Sequence, residues 1–500
     1  MTGNEQEASG ANRNALASGI FVSGAALVVY GVLNFFTRRQ MVLGLSKEEY
    51  GFFYGAFSLF MMILSGLDFG LGQTLSLLVP KFQIQRRHRS LELDVDTVLV
   101  FKVTVALLTG GLLAIAAPWI ALHYFGYQGA CINLVLLVLA LPAAVVFTTA
   151  LDLLSTVRKF AMRSVLQVAQ FAMIFLVLWG ALDYFGAVTG GIAYLVSYII
   201  IALVALVAAR RALAPAILRP FFSWLRLRRL WRTSRWFVLS TVGLAVFNNM
   251  DSQLIAVLGG GDALASVAMY NVALPVMQIF QGFLIVPMVF TPVAARMYHA
   301  GEMMELRNLY GVIWTLMLAG CALLLLGSIG SAEWLIRVLF SPLYADAAPA
   351  LVALVAGLFF FSKAILNFNL LALAEAPERI GWAVVAGVAV NILAAVPGIL
   401  LFGFVGAAWA KTLGFGVVFA VSQRDVGIRL RLPPGNRGSA WLAVSALLLA
   451  VAGTLFGARI GNPLLLSAVL CGTYIFIHRR FFLMVLGQAW KFRVEIGAGR

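Results

Sequence analysis

The chain has 500 residues, of which 62% are hydrophobic and 11% charged, and its mean hydropathy is +0.96. A soluble domain carries about 25% charged residues, so this composition excludes a soluble globular protein and indicates membrane-spanning helices. The net charge is +16, and the three cysteines lie far apart within apolar runs. That spacing fits neither a disulfide framework nor a set of metal ligands.

Apolar runs of about 20 residues, the length that crosses the hydrocarbon core, recur along the chain. The first follows a polar start without a short h-region or an evident cleavage site, so we expect it to remain in the protein. No strand-type alternation competes, and the predicted fold class is an all-α integral membrane protein. Fourteen spans are predicted, at 15–37, 52–79, 98–117, 131–150, 164–182, 188–209, 236–257, 266–292, 310–330, 349–373, 380–401, 405–422, 439–457 and 462–477.

Lysine and arginine are distributed unevenly between alternate connecting segments. An even number of spans puts both termini on one side. If that side is the cytoplasm, the cytoplasmic segments hold 28 of these residues and the opposite segments hold five. This excess predicts cytoplasmic N- and C-termini. The charge is then explained by topology and by contact with anionic lipids, and a nucleic-acid partner is not expected.

The longest basic connection, 210–235, carries eight arginines. Trp224, Leu227 and Trp231 recur in it at helical spacing, which predicts an amphipathic helix lying on the cytoplasmic face.

This basic segment divides the chain into comparable halves. Six spans precede it and six follow, and a weak correspondence sets Asn34 opposite Asn248. The arrangement predicts two six-helix lobes related by a pseudo-twofold axis along the membrane normal, as in transporters. The predicted parts are the N-lobe 1–209, the linker 210–235, the C-lobe 236–422, and two further spans with a cytoplasmic tail at 423–500.

Several motifs resemble one protein family. LGLSKEEYGFFYGAFSL, followed by GLDFGLGQTL, resembles the LGxxEYG…DLGLG signature near the start of polysaccharide-exporting flippases of the O-antigen translocase type. NNMDSQLIAVLGG, AMYNVAL and VFTPVAARMYHAGEMMELRNLY are similar to that family's second-half signature. The family shows Asp-Arg in the seventh span, whereas this chain has Asp251-Ser252, which puts a cation role at position 252 in doubt.

The resemblance implies a MATE-like fold of the multidrug/oligosaccharidyl-lipid/polysaccharide superfamily, with two lobes forming a V around a central cavity. It implies a monomer in a bacterial inner membrane that carries an undecaprenyl-pyrophosphate-linked oligosaccharide from the cytoplasmic to the outer leaflet. Such a cargo is a repeat unit of a polysaccharide, for instance the O-antigen of lipopolysaccharide. No cofactor is implied; a proton or sodium gradient or the membrane potential would drive transport, and other polysaccharide assembly proteins are candidate partners.

A pyrophosphate cannot cross hydrocarbon unaided, so cations inside spans are candidate binding residues. Arg38 follows Tyr30 and Asn34 at intervals of four residues, on one helix face. It either extends to the outer headgroups or faces the cavity, and the polar stripe favours the cavity. Lys363 and Lys411 lie well inside their spans, where a cavity position is also favoured.

Uncharged polar residues within spans complete the candidate set, although such stripes also hold helices together by hydrogen bonds. Asp68 and Asp251 either pair with a cation or bind a coupling ion. Lys102 lies near a span end and is expected to extend to the interface. The predicted cavity residues are Arg38, Lys363, Lys411, Asn34, Asn248, Asn271, Gln278 and Asn367; no catalytic or metal-binding residue is predicted.

Two other functions stay open at this stage. A drug or cation antiporter of the same superfamily would favour acidic cavity residues. A membrane-embedded glycan polymerase or glycosyltransferase would need a sizeable outer loop with catalytic groups. The longest outer segment, 331–349, offers only Glu333, Arg337 and Asp346.

Overall fold

The computed structural model describes residues 26, 28–84, 88–127, 131–157, 159–213, 221–280, 285–432, 437–457 and 462–484. Within these ranges the regular structure is helical and no strand occurs, which confirms the all-α class. The helices are α1 (28–44), α2 (Lys47–Gly66), α3 (Leu71–Ile84), α4 (His88–Trp119), α5 (Cys131–Leu139), α6 (Leu141–Thr156), α7 (Phe160–Phe185), α8 (Val188–Leu213), α9 (Trp224–Leu258), α10 (Ala263–Phe280), α11 (Ile285–His299), α12 (Met303–Leu339), α13 (Ala348–Leu373), α14 (Pro377–Leu430), α15 (Arg437–Phe456) and α16 (Pro463–Ile477).

Seven of the described helices are long and apolar enough to cross a membrane, or eight if α5 and α6, which are bent by 42°, form one span. A multi-pass membrane protein is thereby confirmed. Where the structure describes them, the predicted spans each fall on a helix or on two consecutive helices; most of 15–27 in the first span and 281–284 in the eighth lie outside the described residues. The total of fourteen and the pseudo-twofold symmetry stay predictions.

Helix α14 contains two predicted spans in 54 residues. Its backbone leaves the helical region at Gly403, where φ is 60°. A Cβ added at Gly406 would lie 1.9 Å from the carbonyl oxygen of Gly398, so the chain reverses direction between these glycines. The two halves of α14 therefore form a tight antiparallel pair.

The described end of the basic segment is the beginning of a longer helix, while its residues 214–220 lie outside the described ranges. Helix α9 begins at Trp224 and continues for 35 residues through the seventh predicted span to Leu258. Arg226 and Arg229 in its first turns pair with the buried carboxylate of Asp94 in α4, at 2.7 and 2.6 Å. The predicted helix is therefore present over 224–235 and continuous with the seventh predicted span, because no proline interrupts 224–258 and Asp94 pairs with its start; its position on the cytoplasmic face stays a prediction.

Helix α2 joins the two halves of the chain at one end of the bundle. A Cβ added at Gly51 would lie 1.9 Å from the carbonyl oxygen of Leu264 in α10, so only glycine allows the backbones to approach this closely. One turn further along α2, the carbonyl oxygen of Gly55 accepts a hydrogen bond from Nε2 of Gln253 in α9 at 2.7 Å.

The break between α2 and α3 also contacts the second half of the chain. Phe69 and Gly70 have φ values of 50° and 65° there. The hydroxyl of Ser234 in α9 donates to the carbonyl oxygen of Phe69. The two halves therefore touch near both ends of α2.

Candidate functional site

A buried arginine lies where the two halves of the chain meet. Arg38, near the end of α1, is only 8% exposed. Its Nη1 donates to the carbonyl oxygen of Asn271 in α10 at 3.1 Å, and its Cζ lies 4.5 Å from the ring centroid of Tyr54. Among the described residues, no carboxylate pairs with Arg38. Its positive charge is therefore stabilised by a carbonyl and an aromatic face rather than by an anion.

Tyrosines surround the guanidinium. Tyr30, Tyr50, Tyr54 and Tyr194 all lie close enough to interact with it electrostatically. The rings of Tyr50 and Tyr54 are 4.7 Å apart, and the Tyr50 hydroxyl donates to the same Asn271 carbonyl at 3.5 Å. These groups offer hydroxyl donors and aromatic faces beside one fixed cation.

The end of α1 also carries polar atoms whose hydrogen-bonding capacity is unused. Four consecutive side chains each present one buried polar atom without a hydrogen-bond partner in the protein: Thr37 Oγ1, Arg38 Nε, Arg39 Nε and Gln40 Oε1. Buried polar atoms are normally bonded, because desolvation without a partner is costly. This turn of α1 can therefore accept further polar contacts.

Asn271 connects Arg38 to a second polar group. Its Nδ2 donates to Ser252 Oγ at 3.0 Å, which ties α10 to α9. The neighbouring Asp251 carboxylate accepts from Lys411 Nζ at 2.7 Å, from the Tyr270 hydroxyl at 2.8 Å and from Asn391 Nδ2 at 3.1 Å.

The ion pair between Asp251 and Lys411 is completely enclosed, with side chains 0% and 2% exposed. Lys411 Nζ also donates to the carbonyl oxygen of Asn248 at 3.2 Å. Lys411 is thus neutralised in this conformation, and Asp251 has three donors around it. Both residues hold α9 against α14.

Lys363 and Asn367 belong to a separate cluster in α13. Lys363 is fully buried, donates to the carbonyl oxygen of Trp314 in α12, and places Nζ 3.9 Å from the centroid of the Trp314 ring. No carboxylate pairs with it in the described part of the chain. Asn367 accepts from the Tyr310 hydroxyl at 3.0 Å and donates to Gln423 Oε1 at 3.2 Å.

A third group surrounds the break between α2 and α3. Asp68 Oδ1 pairs with Lys102 Nζ at 2.6 Å. A Cβ added at Gly72 would lie 3.0 Å from this Asp68 oxygen and 2.3 Å from Asp152 Oδ2, which places two carboxylates beside one lysine. The expectation that Lys102 extends to the interface is wrong: its side chain is fully buried, because Asp68 in the break between α2 and α3 supplies the partner.

The remaining predicted residues lie outside these groups. Asn34 is partly buried and Gln278 is exposed. Asn248 is also exposed, although its backbone carbonyl oxygen accepts the hydrogen bond from Lys411. Arg38, Asn271, Asp251 and Lys411 are connected through hydrogen bonds and adjacent residues, while Lys363 is not part of that chain of contacts. Neither the cavity between α4, α6 and α8 nor the one between α12 and Phe481 is lined by any of the three predicted cations, and a cavity common to those cations stays a prediction.

Sequence reasoning placed Tyr30 on the face of Arg38 but missed Tyr50, Tyr54 and Tyr194 around it. Tyr50 and Tyr54 have the spacing of one helical turn within EEYGFFYGAF, which is a usable signal once Arg38 is suspected. Their aromatic neighbours Phe52 and Phe53 are buried core residues, so the motif alone does not separate the two roles.

Comparison with known proteins agrees with this architecture. A family model described as polysaccharide biosynthesis protein matches residues 16–298, more than half of the chain. The uncharacterized membrane protein MJ1068 of Methanocaldococcus jannaschii is 24% identical over 401 residues, which cover 75% of this chain and 76% of that protein.

Solved structures show the same fold. The lipid II flippase MurJ in an inward closed conformation matches with a TM-score of 0.73 and 14% identity, covering 93% of this chain and 100% of that one. An inward-facing multidrug resistance MATE family transporter of the MOP superfamily matches with a TM-score of 0.66 and 16% identity, covering 82% and 98%. At sequence identities this low, the structural similarity shows a shared fold and does not establish the cargo.

The helical bundle thus has the fold that these two solved membrane proteins share. The chain belongs to the polysaccharide biosynthesis protein family.

Proposed function

We propose that the protein is a flippase that carries a polyprenyl-pyrophosphate-linked oligosaccharide from the cytoplasmic to the outer leaflet by alternating access. Membership of the polysaccharide biosynthesis family and the shared fold with a lipid II flippase support this class of cargo. The proposal places the protein in a bacterial inner membrane with both termini in the cytoplasm, as the distribution of lysine and arginine predicts.

The observation that carries the proposal is the uncompensated charge of Arg38. A cation at membrane depth costs about 3 kcal/mol or more on insertion scales, so an arginine kept there without a carboxylate needs a functional reason. A pyrophosphate provides an acceptor for the planar guanidinium, which binds phosphate through paired hydrogen bonds. The nearby tyrosines and the unbonded polar atoms at 37–40 suit the sugars attached to it.

The pattern of ion pairs favours an anionic cargo over a cationic drug. Asp68 and Asp251 are each paired with a lysine, so in this conformation neither offers an unpaired negative charge to a cationic drug. Arg38 and Lys363, in contrast, have no acidic partner among the described residues. A drug or cation antiporter requires the opposite balance.

Coupling to an ion gradient is a further part of the proposal, and Asp68 suits it better than Asp251. The Asp68 side chain is 20% exposed and lies beside Asp152, whereas Asp251 is fully enclosed by its donors. An exchangeable proton or sodium ion needs a route to its site, which only Asp68 has.

Transport of a labelled polyprenyl-pyrophosphate oligosaccharide in proteoliposomes tests the proposal. We expect Arg38→Ala to reduce transport at least tenfold, because a hydrogen bond to a charged group contributes about 1.5–3 kcal/mol. Arg337→Ala is the matched control, since Arg337 lies on the surface of α12 and pairs only with the exposed Glu333.

A second cargo separates charge recognition from general damage. The same oligosaccharide on an uncharged polyprenyl carrier should be transported poorly by the wild type and no worse by Arg38→Ala. Equal transport of the charged cargo by the wild type and Arg38→Ala would overturn the role of Arg38. Wild-type protein that moves a cationic drug and not the lipid-linked sugar would establish the antiporter instead.

A further inference from the structure

The carbonyl that holds Arg38 is available because of a proline. In an α-helix, each carbonyl accepts a hydrogen bond from the N–H four residues later. The residue four positions after Asn271 is Pro275, which has no N–H. Helix α10 nevertheless continues through this position, from Ala263 to Phe280. The Asn271 carbonyl therefore lacks the N–H partner that position 275 would otherwise supply.

Both donors to this buried carbonyl come from the first half of the chain. Arg38 Nη1 in α1 lies 3.1 Å away, and the Tyr50 hydroxyl in α2 lies 3.5 Å away. Asn271 is itself buried, so water does not replace them freely. The proline thus creates an acceptor in one half of the molecule for an arginine in the other.

This hydrogen bond lies beside the closest approach of the two halves. Gly51 meets the backbone at Leu264, two turns before Asn271 in α10, and that contact is a van der Waals contact between backbones. The ring of Tyr50 also packs 6.1 Å from that of Tyr344, just before α13. Among these contacts, the Arg38 bond is the one that involves a full charge.

From this geometry we propose that the hydrogen bond between Arg38 and the Asn271 carbonyl, which Pro275 makes available, holds the two halves of the chain together where Gly51 meets Leu264. We call this bond the latch and this contact the outer gate, and we propose that the pyrophosphate of the cargo opens the gate by competing for Arg38. The inference rests on the proposed function and assigns the gating step to that same arginine. Pro275 acts as a positioning residue, because it touches no cargo and only makes the competing acceptor available.

The competition favours the anion. The carbonyl is a neutral acceptor that takes one hydrogen bond from Arg38, whereas a phosphate is charged and takes two in parallel, each about twice as strong. A ligand shifts an equilibrium only through different affinities for the two states. Here the difference is explicit, since the guanidinium donates to Asn271 in the closed state and is free for the anion in the open one.

The test measures directly whether the starts of α2 and α10 are close together. Cysteines replace Glu48 at the start of α2 and Asp262 just before α10, both exposed and close to the contact of Gly51 with Leu264. The three native cysteines are replaced by alanine or serine, and disulfide cross-linking is followed in proteoliposomes. The wild-type sequence should cross-link efficiently, and the lipid-linked cargo should reduce the cross-linking.

Pro275→Ala is the decisive variant, since alanine restores the N–H that satisfies Asn271 within α10. We expect the ratio of closed to open protein to fall about tenfold without cargo. Arg38→Ala should give a similar fall, and the double variant should fall no further than either single variant, because both act on one bond. Pro397→Ala is the matched control, because Pro397 is an exposed proline inside a different helix, α14.

The outcomes separate the latch from the function. Unchanged cross-linking in Pro275→Ala, or additive effects in the double variant, would overturn the latch even if the wild type transports the lipid-linked sugar. Reduced cross-linking in Pro275→Ala supports the latch even if transport of that cargo is absent. Inorganic pyrophosphate, added without lipid, should also reduce cross-linking in the wild type but not in Arg38→Ala.

Discussion

Asp251 and Lys411 form a fully enclosed ion pair, 2.7 Å from Oδ2 to Nζ, that fastens α14 to α9. Breaking such a pair leaves one buried charge without its partner, which costs about 3–5 kcal/mol. We therefore expect Lys411→Met to lower the free energy of unfolding by about this amount, as measured by denaturation in detergent.

The matching change at the surface should have little effect. Glu333→Gln removes the exposed pair with Arg337, and surface pairs contribute about 0–1 kcal/mol. If Lys411→Met is as stable as Glu333→Gln, the enclosed pair does not hold these helices together. The double variant Asp251→Asn with Lys411→Met should recover part of the loss, because it leaves no unpaired charge.

Lys363 should respond in the opposite way. It has no carboxylate partner in the described part of the chain. Lys363→Met therefore removes a buried charge without leaving a second charge unpaired. We expect unchanged or higher stability, with an increase of about 1–4 kcal/mol at most. Transport of the lipid-linked cargo should fall if this cation contacts the pyrophosphate.

Measuring stability and transport in the same preparations decides the role of Lys363. Full transport together with raised stability would remove Lys363 from the cargo-binding residues. A loss of both would show instead that the contact with Trp314 is structural.

Gly51 is required where α2 meets α10. Gly51→Ala would place a methyl group 1.9 Å from a backbone oxygen, which no side-chain movement relieves. We expect a loss of about 1–3 kcal/mol in the free energy of unfolding and at least a tenfold loss of transport. Gly66→Ala in the same helix is the control, because nothing lies within 4 Å of its added Cβ. Wild-type transport in Gly51→Ala would show that this close approach is dispensable.

Ion coupling should depend on Asp68 and not on Asp251. Asp68→Asn removes a partly exposed carboxylate that lies beside Asp152 and Lys102. We expect transport by Asp68→Asn to become independent of an imposed proton or sodium gradient while transport along the cargo gradient persists.

Asp251→Asn supplies the comparison for gradient dependence. Whatever transport remains in that variant should still respond to the gradient, since its carboxylate is enclosed by Lys411, Tyr270 and Asn391. A gradient response that is lost in Asp251→Asn and kept in Asp68→Asn would reverse the assignment.

The fold class and the location of the helices could be predicted because long apolar runs are local signals. Of the stripe of Tyr30, Asn34 and Arg38, which periodicity places on one side of the helix, Arg38 is buried and the other two are partly buried, and the cavity position of the stripe stays a prediction. What periodicity does not contain is the partner across the interface. Lys102 was therefore misplaced, because Asp68 is remote in sequence and adjacent only after packing.

The same limit explains the polar clusters. Nothing local distinguishes Lys411, which is neutralised by Asp251, from Lys363, which faces an aromatic ring. The latch acceptor has a local origin in the four-residue spacing of Asn271 and Pro275, but its meaning depends on Arg38, 233 residues away.

The unbroken course of α9 constrains how the two halves move. At 1.5 Å per residue its 35 residues extend about 52 Å. Its basic start is fixed to Asp94, and Gln253 near its other end is bonded to Gly55. A stiff rod of this length behaves as a lever, so a tilt about any intermediate pivot swings its two ends in opposite directions. In the proposed alternating access, separation of the halves at one face of the membrane would thereby be linked to their closure at the other.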